Sequence, residues 1–510
     1  MLRIDDVLGG QPTRLTHLLD VGAEGSAKRS GDSIIISDDG ERLTYAELVA
    51  RVAGSAARLA EHGVRAGDRV LLVLENSVEA VVLFFAVQRL EAWPVMVNAR
   101  MTASEITGIQ NHCRPRAIVF LSAASPAALA HAETFGAAEL GSVHISAGLA
   151  AEPEAWGAAS DQQVAAMIYT SGSTGQPKGV MLSHRNLLFN AAVVAQERGY
   201  CPDDTLYGLA PMSHSLGLGG LLLPALLSGA HYHAVARFDP MAFLDMAMAG
   251  KVTILNAPPA AYLALSKVIA EQRLDLSAAK LRVLGVGSAP LDALLKVRVE
   301  AAFGQPLHNG YGITETGPSI SFSRPDNQAP GLSVGPPLPH VEVKVVDADG
   351  AELASDEEGE LWVRSPGNML GYYRDEAATA AAMHAGGWFA SGDIASLDGD
   401  GNLYILGRLK ELIIRSGFNV YPAEIENVLN DDIAVAASAV IGVPDETWGE
   451  AVAAAVVLRE ETSLTLETLR DWCRDRLSVY KIPKQLKVLE VLPRNAMGKV
   501  TKPAVKELLS

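Results

Sequence analysis

Cysteine is scarce. Cys113, Cys201 and Cys473 are the only three in 510 residues, far apart, odd in number and without a CxxC pair. That speaks against a disulfide framework and against a zinc site, and makes a reducing cytoplasm the simple expectation. Positive charge is in deficit: 42 Lys and Arg against 59 Asp and Glu give a formal net charge of -17 and a pI near 5.2. Nucleic acid or an anionic membrane would need a basic face, so neither is an expected partner. Long hydrophobic runs are missing too. The longest apolar stretch, Leu216 to Ala230, is interrupted by Gly, Pro and Ser and is too short to span a bilayer. The opening MLRIDDVLGGQPTRLTHLLD lacks the charged-then-apolar layout of a signal peptide, so no leader and no membrane span are expected.

What the chain has is small aliphatic residue. It is 49% hydrophobic with aromatics at 6%, enough apolar surface for more than one compact unit. SIII, the turn Asp38-Asp39-Gly40 and ERLTY read as a hairpin, and Thr44 with Glu47 three residues on is a capping box opening a helix through about Leu59. VLLVLE (70–75) is a buried strand, and VEAVVLFFAVQRL a helix after it. The alternation continues through RAIVFLS, TLYGLAP, HYHAVARF, VTILNAPP and LRVLGVG, the pattern of a parallel α/β sheet with helices on both faces. After about Pro330, strands joined by Asp-Gly turns mark a β-rich subdomain, and beyond Gly407 to Lys410 a fresh alternation reads as a small α+β domain. The expected division is a large domain over 1–406, a connection at 407–410 and a small domain over 411–510.

The strongest local signal follows the strand VAAMIY. Thr170, Ser171, Gly172, Ser173, Thr174, Gly175 and Lys178 form a loop of hydroxyls, glycines and one lysine. Glycines let backbone N–H groups turn around an anion, hydroxyls add donors and lysine adds charge. Lys178 is neither preceded by Gly nor followed by Ser or Thr, so this is not a Walker A loop.

This loop resembles the phosphate loop of the adenylate-forming superfamily of acyl-CoA synthetases, peptide-synthetase adenylation domains and firefly luciferases. Asn309 to Glu315 (NGYGITE), Gly387 to Asp393 (GWFASGD), Gly407 to Ile413 (GRLKELI) and Pro493 to Lys499 (PRNAMGK) resemble that family's further motifs, in its order. The resemblance implies a large N-terminal domain, a small mobile C-terminal domain and a reaction in which a carboxylate attacks the α-phosphorus of ATP. The carboxylate is already ionised, so no general base is needed; the reaction needs cations and donors for spreading phosphate charge.

On the matching positions, Thr314 would contact phosphate, Glu315 would hold Mg2+, Tyr311 between Gly310 and Gly312 would lie against adenine, and Asp393 and Arg408 would hold the ribose. Gly287, Ser288, Ala289 and Pro290 match the adenine-side turn, with Ser288 where the family has a second glycine. Lys499 matches the lysine that bridges carboxylate and α-phosphate, and Lys410 the hinge. His214 resembles the histidine at the mouth of the acyl tunnel, with walls from Leu216, Gly217, Gly310, Gly312, Pro318 and Ser319. Those walls carry no charge, which suits an apolar monocarboxylate, aryl or medium-chain, and penalises an amino acid whose ammonium would be buried without a partner.

For coenzyme A, Ser416, Gly417, Phe418 and Trp448 resemble the elements that bracket pantetheine in aryl-CoA ligases, with Arg100 and Lys481 as basic partners for its nucleotide. The expected activity is ATP-dependent acid:CoA ligation. The alternative is a stand-alone adenylation enzyme that loads a carrier protein; with the chain ending soon after Lys499, no fused carrier is expected. Asp239-Pro240 reads as a helix N-cap and first turn, not as an amino-acid clamp. His231 and His233, at alternate strand positions, read as structural.

Overall fold

The computed structural model describes residues 3–10, 13–19, 34–149, 151–154, 160–171, 177–324, 329–415, 418–445, 447–494 and 500–509. The chain forms two compact units. One comprises Met1–Leu291, Leu295–Glu342 and Val363–Phe389; the other comprises Asp292–Leu294, Val343–Trp362 and Ala390–Ser510.

Two eight-stranded sheets organise the larger unit. The first runs Ser319–Phe322, Leu307–Gly312, Val283–Val286, Ile254–Ala257, Thr205–Gly208, His231–Ala234, Ile34–Ser37 and Arg42–Thr44. The second runs Gly371–Tyr372, Pro177–Ser183, Val164–Ser171, Trp93–Asn98, Arg69–Leu74, Ala117–Phe120, Val143–Ser146 and Ala138–Leu140. Their centres are parallel, as the strand-helix alternation requires, and antiparallel strands close their edges. Arg69–Leu74 is buried at all six positions, which is why it reads as a continuous apolar run instead of an alternating one.

Helix starts are fixed by short side chains. Thr44 accepts from Glu47 N while Glu47 accepts from Thr44 N, the capping box opening Tyr45–Glu61. Ser77 caps Val78–Arg89, whose sides are buried almost all round. Asp239 accepts from Met241 N and Ala242 N with Pro240 at the first helical position, so it is occupied as a cap. His231 Nε2 and His233 Nδ1 both meet Ser37 Oγ, at 2.8 and 2.9 Å, a structural pairing between neighbouring strands.

A five-stranded sheet contains Glu342–Val346, Gly359–Arg364, Trp388–Leu397 and Met383–His384, with Leu403–Arg408 also pairing Trp388–Leu397. The last five-stranded sheet, built on the long hairpin Val435–Asp445 and Gly449–Leu458, is covered on both faces. Val452 and Ala454 face a core with Ile425, Leu429, Leu469 and Cys473, whereas Ala451, Ala453 and Ala455 face Leu492 and Val505. The alternation of the strand distributes its alanines between two layers. Among the described residues no helix is long and apolar enough to cross a membrane.

Candidate active site

Strand Leu307–Gly312 carries the NGYG segment to the C-terminal edge of the first sheet. Asn309 is buried and donates through Nδ2 to Leu332 O at 2.9 Å, so it anchors the segment. Gly310, Tyr311 and Gly312 lie opposite Phe322, Ser321 and Ser319. A Cβ on Gly312 would sit 2.0 Å from Pro318 O, an approach only glycine permits. The next residues form a 3-10 turn, Thr314–Thr316, that presents Thr314 and Glu315 together. Thr314 is buried, and its hydroxyl shares a hydrogen bond with Ser215 Oγ at 3.1 Å.

Glu315 is positioned by a residue the sequence reading did not single out. The Tyr372 hydroxyl donates to Glu315 Oε1 at 3.0 Å, and the Tyr372 ring lies 4.7 Å from Lys178 Nζ. The register brings this about: Tyr372 pairs with Val180, two residues beyond Lys178, and Lys178 pairs with Thr170. Thr170, Ser171 and Lys178 therefore flank the base of the loop on adjacent strands, while Gly172, Ser173, Thr174 and Gly175 lie outside the described residues. Among the described residues no three His, Cys, Asp or Glu side chains form a metal cluster. A single carboxylate beside a hydroxyl suits Mg2+, which keeps waters and takes substrate phosphates as ligands.

Gly287, Ser288, Ala289 and Pro290 follow strand Val283–Val286. Ser288 has φ 66°, the left-handed region that favours glycine, so its replacement of glycine costs backbone strain of about 1 kcal/mol or more.

The loop holding His214 is fixed by Asn76, buried after strand Arg69–Leu74. Asn76 Nδ2 donates to Gly208 O and Ala210 O, and its Oδ1 accepts from Met212 N at 2.7 Å. His214 Nδ1 accepts from Leu216 N at 3.2 Å. Leu216–Leu222 then forms a π-helical segment with three glycines. A Cβ on Gly217 would lie 2.1 Å from Pro211 O, so a side chain there presses on backbone instead of projecting into open space. Asn190, fully buried, lies against Gly219 O, Gly317 O and Ser319 N, and assigning its amide nitrogen to the two carbonyls (3.2 Å each) and its oxygen to Ser319 N (2.8 Å) satisfies all three. It thereby clamps the π-helical segment to Pro318 and Ser319. Neither Asn76 nor Asn190 carries a sequence signal, because each acts on backbone far away in the chain. Arg100 is engaged by Glu75 at 2.8 Å and by Ala236 O at 2.8 Å.

The smaller unit holds the remaining candidates. Asp393 and Arg408 face each other across paired strands, with Arg408 Nε 2.7 Å from Asp393 Oδ1; Asp393 is buried and Arg408 exposed. Lys410 is exposed in the 3-10 turn Leu409–Glu411. Next to it, Lys502 Nζ bridges Glu411 at 2.9 Å and Glu426 at 3.0 Å. Phe418, 56% exposed, stacks on Tyr480 at 4.8 Å, and the ring of Trp448, 42% exposed, has Arg415 at 5.6 Å and Lys484 at 5.5 Å. Lys481 pairs with Glu424 and Lys484 with Asp445. Ser416, Gly417 and Lys499 lie outside the described residues.

Residues 23–373 match the AMP-binding enzyme family and residues 424–499 the AMP-binding enzyme C-terminal domain. The chain belongs to this family of adenylate-forming enzymes. It is 36% identical over 486 residues to a feruloyl-CoA synthase of an Amycolatopsis species, covering 94% of this chain and 96% of the relative. It is 34% identical over 484 residues to the 2-succinylbenzoate--CoA ligase of Geobacillus kaustophilus, covering 94% and 95%. Among solved structures, the ATP-bound MatB of Rhodopseudomonas palustris superposes with a TM-score of 0.84 at 32% identity, over 96% of this chain and 98% of that one.

Proposed function

We propose that the chain is an ATP-dependent carboxylic acid:CoA ligase that works in two steps. In the first, the acid's carboxylate attacks the α-phosphorus of ATP and pyrophosphate leaves; in the second, the CoA thiol displaces AMP from the acyl-adenylate. The observation that carries this reading is the linked set Lys178, Tyr372 and Glu315 beside Thr314, a cation, a positioned carboxylate and a hydroxyl brought together from the two sheets. Mg2+ held through Glu315 would neutralise charge on the phosphates. Lys178 and the loop from Thr170 to Gly175 bind the phosphates, and Thr314 donates to them. Tyr311 and the turn from Gly287 to Pro290 take the adenine, and Asp393 and Arg408 the ribose. Lys499 supplies the charge where carboxylate meets phosphate, roughly 4 kcal/mol at ~4 Å and an effective dielectric near 20.

The acid lies behind His214, against Leu216 and the segment Gly317 to Ser319, whose uncharged surface suits an aryl or medium-chain body. Phe418 and Trp448, exposed aromatics among cations, suit the pantetheine and nucleotide of CoA, with residues 407–410 as the hinge that brings the smaller domain's two faces to the site in turn. Feruloyl-CoA synthase and 2-succinylbenzoate--CoA ligase among the relatives support CoA as acceptor and an aromatic acid as substrate. Three free cysteines, two of them buried, suit a reducing cytoplasm. A panel of acids scored by acid-dependent pyrophosphate release, with and without CoA, tests the reading. Release without thioester formation in the presence of CoA would remove CoA as acceptor, and no release with any acid would remove adenylation.

A further inference from the structure

The walls expected for the acid carry no charge, but a charged side chain packs against the cross-strand partner of one of them, Gly310. Across three adjacent parallel strands the register sets Asn256, Gly285 and His308 side by side. Side chains alternate along a strand, so these three share a face with Gly287 and Gly310, one layer nearer the C-terminal ends and about 6–7 Å away. Leu255, Leu284, Val286 and Leu307 point the other way, into the core. The upper layer is thus glycine, and the layer beneath it is polar.

Over this lower layer lies Arg198, just past helix His184–Glu197. Its Nη1 is 3.2 Å from where a Cβ on Gly285 would be, and its guanidinium carbon is 4.1 Å from the centre of the Phe322 ring. Phe322 is the partner of Gly310 in the sheet, which places the guanidinium beneath the glycine layer. Arg198 is 6% exposed, and no carboxylate of the described residues pairs with it. Its polar neighbours are the uncharged hydroxyls of Tyr200 and Tyr262, and among the described residues the buried Tyr200 hydroxyl has no hydrogen-bond partner of its own. His308 cannot share the charge, since burial and then Arg198 push its pKa down to about 4. A guanidinium withdrawn from water without a counter-ion is strongly unfavourable, and an anion brought to it relieves that.

We propose that Arg198, flanked by Asn256 and His308, receives a second carboxylate at the far end of the acid, so that the substrate is a dicarboxylic acid with an apolar body, activated at one end only. The proposal rests on the acid-activation reading given above and specifies its substrate class. The uncharged walls enclose the body of such an acid, and Gly310, itself one of those walls, pairs with the Phe322 whose ring carries the guanidinium.

The test uses acids that differ only at the far end, carrying carboxylate, acetyl or methyl at the 4-position of a benzoate and of a cinnamate frame. They are scored by pyrophosphate release and by ligand-induced shift of the thermal midpoint, with the native protein, Arg198→Leu and Arg198→Lys. The native protein should favour carboxylate over methyl by about 100-fold or more in kcat/KM. Arg198→Leu should abolish that preference and Arg198→Lys should keep part of it. A ratio between two acids compares the same enzyme molecules, so partial misfolding of a variant leaves it unchanged. A native preference for methyl or acetyl, or an unchanged ranking in Arg198→Leu, overturns the proposal. An Arg198-dependent thermal shift by the dicarboxylates without pyrophosphate release from any acid would uphold this site and count against adenylation alone.

Discussion

The Tyr372 hydroxyl donates to Glu315 Oε1 at 3.0 Å while its ring supports Lys178 Nζ, so one side chain sets both the proposed metal ligand and the phosphate cation. Tyr372→Phe keeps the ring and removes the hydrogen bond. Hydrogen bonds to charged groups contribute about 1.5–3 kcal/mol, so acid-dependent pyrophosphate release should fall roughly tenfold or more at limiting Mg2+. Titration of Mg2+ checks this, since excess metal should recover part of the loss. A Mg2+ dependence identical to that of the native protein would remove the positioning role.

Lys499 should serve adenylation and not thioester formation, because its charge is needed only where two anions meet. Lys499→Ala should lose ~10²–10³ in acyl-AMP formation, by analogy with deletion of one oxyanion donor. Supplied with synthetic acyl-AMP and CoA, the variant should still form thioester. Equal losses in both half-reactions would assign Lys499 elsewhere.

Lys410 lies exposed in a turn whose neighbour Glu411 is tied to Lys502. Proline fixes φ near −65° and removes an N–H. Lys410→Pro should therefore hold one orientation of the smaller domain, leaving pyrophosphate release near normal and slowing thioester formation by orders of magnitude. Rapid-quench measurement of the two half-reactions decides this; native rates in both would discard the hinge.

The glycines of the acid pocket should respond differently to substitution. At Gly217 a Cβ meets Pro211 O at 2.1 Å, so Gly217→Ala should destabilise the fold by about 1–3 kcal/mol and leave the ranking of acids intact. At Gly310 a Cβ would lie 3.0 Å from Phe322 Cβ, a side-chain contact, and Gly310→Ala should fold but discriminate against broad acids. Denaturant melts alongside kcat/KM over a series of substituted benzoates separate the two outcomes.

Acidification should destabilise the larger unit through His184. This ring is buried, accepts from Leu15 N at 3.2 Å, and has its pKa pushed down to about 3 by burial and by neighbouring Arg14 and His17. In the unfolded chain it titrates near 6.5, so between about pH 6.5 and 3 the unfolded state binds the extra proton and stability falls as pH falls. At pH 5 the loss from this residue is on the order of 2 kcal/mol. His184→Gln should flatten the melting profile between pH 7.5 and 5, and an equally steep profile would place the titration at another group.

Much of this site could be read from the chain because its chemistry demands contiguous residues. A phosphate loop needs hydroxyls, glycines and lysine within ten positions, and the strands announce themselves by runs such as VLLVLE. Helix caps such as Thr44 and Asp239 were legible for the same local reason. Asn76, Asn190, Arg198 and Tyr372 were not, because each acts across the fold. Asn76 reaches Gly208, and Tyr372 reaches Glu315 through a strand pairing that no spacing reveals. The direction of the missing Cβ at Gly217 was equally hidden, since a glycine in sequence does not say which neighbour excludes a side chain.

Asn76 follows a strand of one sheet and holds the end of a strand of the other, together with the backbone leading to His214. A single carboxamide thus acts as a rivet between the two sheets beside the loop that holds His214. The backbone leading to His214 is therefore held by the fold itself and needs no ligand to set it.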